Sequence, residues 1–396
     1  MSKIVVENLY KIFGNTPEKA LKLLQEGASK EEIHKKTAQS VGINDASFTV
    51  KEGEIVVVMG LSGSGKSTLV RCINRLIEPT AGKIAVDGVD IRSLNIDDLR
   101  KFRQEKLGMV FQNFALFPHR TVCQNTEYGL EIQGMDADTR REKAENALEL
   151  VGLKGWENSY PKQLSGGMQQ RVGLARALAL DPDILLMDEA FSALDPLIRR
   201  DMQDELVNLQ DEMQKTILFI SHDLDEALKL GDRIVLMKDG RIVQVGTPEE
   251  ILTEPATDYV ERFVEDVDIT KVLTAEMVMK KSEAVAYLGT DGPRSAIRKM
   301  KQSAIGSLFF LNKNKTPAGI VTIEDCAALR ERGSDDIESI LRRDFKEVQL
   351  DTQATDLIQI IHDLPYPLPV TGPSGKFKGV IVRGTLLGAI AERGGN

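Results

Sequence analysis

The stretch from 55 to 67 constrains this chain more than any other. Ile55-Val56-Val57-Val58-Met59 is a continuous apolar run rich in β-branched residues, the composition of a parallel strand buried on both faces. It leads into Gly60-Leu61-Ser62-Gly63-Ser64-Gly65-Lys66-Ser67, which matches the spacing G-x-x-x-x-G-K-[ST]. An apolar-periodic segment, Thr68–Leu76, follows. Strand, glycine loop and helix in that order make a phosphate cradle. Glycine lets backbone N–H groups close around phosphate oxygens with no Cβ in the way, and the helix N-terminus adds positive potential. Lys66 is expected to reach the β- and γ-phosphates of a nucleotide, and the Ser67 hydroxyl to bind Mg²⁺. The plainer alternative, a glycine-rich turn with no ligand, leaves the flanking strand and helix unexplained.

The rest of 41–265 alternates strand and helix patterns. Ile184-Leu185-Leu186-Met187 and Thr216-Ile217-Leu218-Phe219-Ile220 are two more buried-strand runs, and 136–151 and 169–180 have helical periodicity. Ile234–Met237 and Arg241–Val245, joined by Lys238-Asp239-Gly240, form a hairpin pattern. The fold class is therefore α/β around a parallel sheet. Asp188 ends one apolar run and Glu189 follows at once. Acids at the carboxyl end of a buried strand stand where nucleotides bind in such sheets. Asp188 suits the Mg²⁺ shell, and Glu189 can polarise a water for in-line attack on a γ-phosphate.

Composition narrows the options. A chain of 396 residues is long for one domain. Its net charge of −9 argues against a nucleic-acid partner, which calls for a basic footprint. No apolar run reaches the ~18–20 residues of a membrane span, and the N-terminus lacks a signal layout, so a cytosolic chain is expected. Cys72, Cys123 and Cys326 are odd in number and far apart, which disfavours a disulfide frame or a zinc site. Charge is uneven: 18 Lys/Arg and 16 Asp/Glu lie from Asp268 onward, leaving 33 and 44 before it. That shift marks a domain boundary.

Leu164-Ser165-Gly166-Gly167-Met168 opens the next helix and offers a second set of N–H groups for phosphate. Here the sequence resembles the ATP-binding cassette (ABC) family, over about residues 3–265. LSGGM resembles the family's LSGGQ signature, with Met168 in the final place. Gln112, in Val110-Phe111-Gln112-Asn113, resembles the Q-loop glutamine, which contacts Mg²⁺ or water. Ser192-Ala193-Leu194-Asp195 resembles the D-loop, and His222 the switch histidine at the γ-phosphate. Phe13 resembles the aromatic that stacks on adenine, with Tyr10 as its competitor. The resemblance implies a mixed-sheet ATPase core with a helical subdomain at about 90–180. It also implies ATP and Mg²⁺ as cofactors and a second copy whose signature completes each ATP site.

One branch is resembled specifically, the bacterial quaternary-amine (glycine betaine/proline) importers. The shared stretches are 9–14, a helical insertion at 15–40, 74–80 and 187–199. Within the insertion, Thr16-Pro17 looks like an N-cap before a first-turn proline. Ser29 with Glu32 looks like a capping box. The branch implies permease subunits, a substrate-binding protein and a peripheral place on the cytoplasmic face of the membrane. Cassettes for amino acids or polyamines, and soluble cassettes of repair or translation, are the alternatives. Repair types carry a long coiled-coil insertion that is not seen here.

Residues 266–396 hold an approximate repeat, with Gly319 and Gly379 60 residues apart. The two units, about 268–332 and 335–392, resemble a tandem CBS pair. That resemblance makes Thr322 and Asp325, in Gly319–Asp325, candidates for an adenosine-type regulatory nucleotide. The second stretch lacks the Asp, and Arg383, Lys376 and Lys378 supply charge there for a phosphate or an anionic membrane surface. A tail that only dimerises is the bland alternative.

Overall fold

The computed structural model describes residues 2–112, 114–265, 270, 273–281, 284–362 and 364–394; the side chains of 211, 212 and 391–394 are not described. Asn113 and the expected tail start at Asp268 lie outside the described residues. The chain divides into two compact units, Met1–Val264 and Glu265–Asn396.

In the first unit the elements run β1 (Ser2–Phe13), α1 (Pro17–Gln25), α2 (Lys30–Thr37), β2 (Ser40–Lys51), β3 (Ile55–Met59), α3 (Lys66–Ile73), β4 (Ala81–Val86), β5 (Val89–Asp90), α4 (Ile96–Lys106) and β6 (Leu107–Val110). They continue with α5 (Val122–Thr126), α6 (Tyr128–Ile132), α7 (Ala137–Leu150), α8 (Gly166–Leu178), β7 (Ile184–Asp188), α9 (Pro196–Met213) and β8 (Thr216–Ile220). The unit closes with α10 (Leu224–Leu230), β9 (Arg233–Lys238), β10 (Arg241–Gly246), α11 (Pro248–Thr253) and α12 (Asp258–Val264). Strands β2-β1-β4-β5 make an antiparallel sheet. The second sheet has the order β10-β9-β3-β8-β7-β6, parallel except for the β9–β10 hairpin.

The apolar runs have no alternation because both faces of this sheet are covered. Val57, Met59, Leu185, Met187, Ile217 and Phe219 enter one core, packed against the helical side. Val56, Val58, Ile184, Leu186, Leu218 and Ile220 enter the other, against the antiparallel sheet. The order β3-β8-β7 matters most. Parallel neighbours end together, so the chain after Met59, after Ile220 and after Met187 emerges at one edge.

The 15–40 insertion forms two short helices. Ser29 and Glu32 make the expected capping box. Thr16 does not cap α1: its hydroxyl instead accepts from the Gln39 side chain. Gly27, with φ +92, ends α1. Ala28 N–H donates to Leu23 O and Gly27 N–H to Leu24 O, the paired bonds of a left-handed helix stop.

The second unit comprises α13 (Ala275–Val278), β11 (Ala286–Tyr287), α14 (Pro293–Gln302), β12 (Ser307–Leu311), β13 (Pro317–Thr322) and α15 (Ile323–Glu331), then β14 (Val348–Gln349), α16 (Ala354–Ile361), β15 (Leu368–Thr371), β16 (Phe377–Ile381) and α17 (Arg383–Gly394). Two three-stranded sheets, β11-β12-β13 and β14-β15-β16, share one topology: a parallel first pair and an antiparallel second. Each repeat crosses onto the other. Lys280 and Val380 exchange backbone hydrogen bonds, as do Arg342 and Ile320. The crossings explain the two spaced glycines. A Cβ on Gly379 would lie 2.5 Å from Lys280 O, and one on Gly319 2.4 Å from Leu341 Cγ and 2.9 Å from Arg342 O.

Candidate functional site

The loop after β3 closes on glycines that no other residue replaces. Gly60 (φ +145) and Gly65 (φ +104) lie in the left-handed region. A Cβ on Gly60 would stand 2.1 Å from Met237 O, and one on Gly65 2.5 Å from Gly42 O. Gly63 (φ +78) is also left-handed but faces open space. The loop borders a cavity of about 650 Å³ lined by Phe13, Gly42, Ser62, Gly63, Gly65, Lys66, Ser67, Thr68, Glu189 and His222, among others. The buried Ser64 Oγ has no hydrogen-bond partner among the described residues.

Lys66 is buried, and its ammonium donates to Gly60 O (2.8 Å) and Leu61 O (3.2 Å). Burial lowers its pKa, and the Glu189 and Asp188 carboxylates pull it back up. Ser67 Oγ donates to Asp188 Oδ1 at 2.9 Å, and Arg71 stands 3.4 Å from the other oxygen. Glu189 (φ +49) turns sharply out of β7. Its Oε2 accepts from Gln112 Nε2 at 3.2 Å and lies 3.4 Å from His222 Nδ1. Three expected residues from three strand ends thus meet at one carboxylate.

Of the two candidate aromatics, Phe13 is the one that lines the cavity. Its ring is partly exposed at the cavity, with the Lys11 ammonium 4.9 Å above it. Tyr10 packs instead into the small core under the insertion.

The signature residues are not in this cavity. Ser165 caps α8, its hydroxyl accepting from Met168 N–H at 3.3 Å. Ser165 and Gly166 are exposed, Gly167 is buried and Met168 half-buried. The D-loop is anchored by Ser192, whose hydroxyl donates to Glu189 O at 2.9 Å; Asp195 is exposed at the start of α9.

Two arginines were not given these roles by sequence. Arg176 of α8 is half-buried and donates to Phe114 O and Ala115 O, tying the signature helix to the segment after Gln112. Arg199 donates to Ser192 O (3.4 Å) and Leu194 O (3.2 Å) and pairs with Asp223 at 3.3 Å. It thereby joins the D-loop to the turn that carries His222. Arg199 sits in the 187–199 stretch, but only the fold brings it to Asp223.

Comparison with known proteins follows the same lines. Residues 43–192 match the family described as ABC transporter. The glycine betaine transport ATP-binding protein OpuAA of Bacillus subtilis is 56% identical over 98% of this chain and 92% of its own length. The chain belongs to the ATP-binding subunits of ABC transporters. As such it binds ATP and is an ATPase. This ABC subunit is also 55% identical to the glycine betaine/carnitine transport ATP-binding protein GbuA of Listeria monocytogenes, over 99% of the chain and 98% of that protein. A solved ATP-binding cassette, a dimer in a post-hydrolysis state with ADP and phosphate, matches with TM-score 0.52 and 33% identity. That match covers 62% of the ABC subunit and 98% of the cassette.

The tail candidates hold intramolecular partners. Thr322 caps α15 by accepting from Asp325 N–H at 3.2 Å, and the Asp325 carboxylate pairs with Arg342 at 2.8 Å. Arg383 donates to the carbonyls of Ile361, His362 and Leu364 at the end of α16.

Proposed function

We propose that this chain energises uptake of an osmoprotectant, glycine betaine or a related quaternary amine or proline, by an ABC importer. The observation that carries it is the Glu189 carboxylate. It is held between Gln112 and His222 at the mouth of the glycine-loop cavity. Whole-length identity to glycine betaine transport subunits supports the choice of solute. In this reading Phe13 stacks on adenine, and the N–H groups of 60–68 with Ser62, Ser64 and Lys66 hold the phosphates. Glu189 accepts the proton of the attacking water, and His222 orients that carboxylate and meets the γ-phosphate. Lys66 exchanges its two loop carbonyls for phosphate oxygens, which restores the charge that burial disfavours.

The donor set fits Mg²⁺: Ser67 Oγ, Asp188 Oδ1 and the Gln112 amide are hard oxygen ligands close to the phosphate cavity. The ion would neutralise phosphate charge during transfer.

Ser165 and Gly166 are exposed, Met168 is half-buried, and all of Ser165–Met168 stand outside their own chain's cavity, which suits contact with ATP on a second copy. Among the described residues no helix is long and apolar enough to cross a membrane. A permease would then place the subunit at the cytoplasmic face, and a substrate-binding protein would supply the solute. The tail is a CBS-type module that gates transport by ionic strength, an adenine nucleotide, or both. A nucleotide at Thr322, Asp325 or Arg383 must displace the partners they now hold.

Reconstitution with the permease and binding protein in liposomes tests the reading. ATP-driven uptake of glycine betaine, proline and choline is measured across a salt series, with and without residues 265–396. Uptake of a quaternary amine that stops in the Glu189→Gln variant supports the function. Uptake of none of the three solutes refutes it, and an unchanged salt and nucleotide response without the tail refutes the gating.

A further inference from the structure

Behind His222 lies a buried carboxyl group that does not line the nucleotide cavity. It belongs to Glu226, in the first turn of α10, and Ser221 and Gln203 of α9 are buried with it. Glu226 Oε1 accepts from Gln203 Nε2 at 3.1 Å, and Oε2 is hydrogen-bonded to Ser221 Oγ. Burying three polar side chains costs free energy that only their mutual bonds offset.

Those bonds converge on the turn that carries His222. Ser221 N–H donates to Val58 O at 3.1 Å, pinning the end of β8 to β3. Ser221 Oγ accepts from Asp223 N–H at 2.9 Å, closing a loop around His222. Asp223 Oδ1 caps α10 by accepting from Glu226 N–H at 3.2 Å. Glu226 is thus tied to both neighbours of His222, to Ser221 through its side chain and to Asp223 through its backbone. The His222 side chain is itself 53% exposed, so the geometry of 221–223, more than packing, sets its 3.4 Å approach to Glu189. Gln203 and Arg199 stand four residues apart on one face of α9, the helix that begins beside Asp195. With Arg199 on Asp223 and Gln203 on Glu226, that helix grips the His222 turn at two levels.

Hydrogen counting shows what the carboxyl supplies. Ser221 Oγ has one hydrogen and two acceptors in reach, Glu226 Oε2 and Asp223 O at 3.2 Å. A protonated Glu226 satisfies both: it donates to Ser221 Oγ, and the serine hydrogen goes to Asp223 O. Burial pushes the Glu226 carboxyl above the usual carboxylate range, against the bonds from Ser221 and Gln203. Of the charged groups that act on it, Asp223 raises it further and Arg199 opposes.

We propose that Glu226 is a positioning residue: through Ser221 and the cap of α10 it holds the His222 imidazole against Glu189. Its effect on hydrolysis rests on the role proposed for His222.

The test uses the full chain. Ring resonances of its four histidines are recorded without nucleotide, and the His222→Ala spectrum assigns the His222 signal. ATP turnover is measured on the same samples. Glu226→Leu keeps an apolar volume and removes both side-chain bonds. It should shift the His222 signal and lower kcat about tenfold or more, with KM for ATP little changed. Glu226→Gln offers a donor and an acceptor, as the protonated acid does, and should restore both readouts. Nucleotide binding of ordinary affinity shows that a variant is folded. Ser221→Ala, a smaller change, should shift the signal in the same way and replaces the leucine variant if that does not fold. An unmoved His222 signal in the folded variant overturns the positioning, as do equal signals from the leucine and glutamine variants. Ordinary kcat in Glu226→Leu beside a slow His222→Ala overturns it too. A moved signal with ordinary turnover in both variants faults the hydrolytic role of His222 and upholds the positioning.

Discussion

Two segments in this molecule lead from a strand into a helix and carry glycine, a hydroxyl and a charged group. One is 60–67 in the cassette; the other is 319–325 in the tail. In the cassette, left-handed glycines hold the loop open around a cavity, and the buried Ser64 Oγ has no partner among the described residues. In the tail, Thr322 caps the helix and Asp325 is paired with Arg342. Both begin a helix, but only the first keeps a hollow and uncommitted polar groups for an anion. A helix N-terminus is a site only when its own side chains leave it open.

The largest expected effect breaks the chemistry and spares the cradle. Glu189→Gln should lower ATP hydrolysis about 10²–10⁴-fold, the range for a lost general base, with ATP still bound. Steady-state turnover and direct ATP titration check it. Ordinary turnover in this variant would remove Glu189 from the mechanism.

Gly60→Ala tests the cradle itself. The new methyl meets Met237 O at 2.1 Å, and φ +145 is strained for alanine, so nucleotide binding should be lost. Fluorescent ATP-analogue binding reads this. Gly333→Ala in the tail, where φ is +70 but nothing lies within 4 Å, is the matched control and should bind normally.

Arg199→Met ranks next, because it touches no ATP-cavity residue directly. Its three contacts tie the D-loop to the His222 turn, so kcat should drop about tenfold with KM for ATP little changed. A change in KM alone would assign it to binding.

The cassette was more legible than the tail, for a physical reason. Strands buried on both faces leave continuous apolar runs, and the P-loop, Asp188, Glu189 and His222 each stand directly after one. Arg176 and Arg199 were not legible: the partners of Arg176 and two of the three of Arg199 are backbone carbonyls that carry no residue-type signal, and Asp223 meets Arg199 only through the fold. In the tail the repeat and its hairpins were readable. Crossing between repeats was not: the 280–380 and 320–342 bridges join segments whose sequence shows only a glycine. The expected capping by Thr16 failed because Gln39, distant in sequence, takes that hydroxyl.

Those crossings set the next prediction. Gly379→Ala places a methyl 2.5 Å from Lys280 O and should destabilise the tail by about 1–3 kcal/mol. Hydrogen exchange of 273–280 and 377–381 would speed up, while cassette exchange stays unchanged. Protection that is unaltered in both segments would contradict the crossed arrangement.

The smallest effect separates the two segments most sharply. Asp188→Asn in the cassette removes a carboxylate that is buried against Ser67, and nucleotide turnover should collapse. Asp325→Asn removes one that is paired with a half-exposed Arg342. Exposed pairs contribute about 0–1 kcal/mol, and salt screens them. The tail's thermal midpoint should therefore fall slightly at low ionic strength and match the wild type at about 0.5 M salt. A loss that persists at high salt would mean that Asp325 does more than hold Arg342, and the tail segment would then belong with the cassette segment as a binding element.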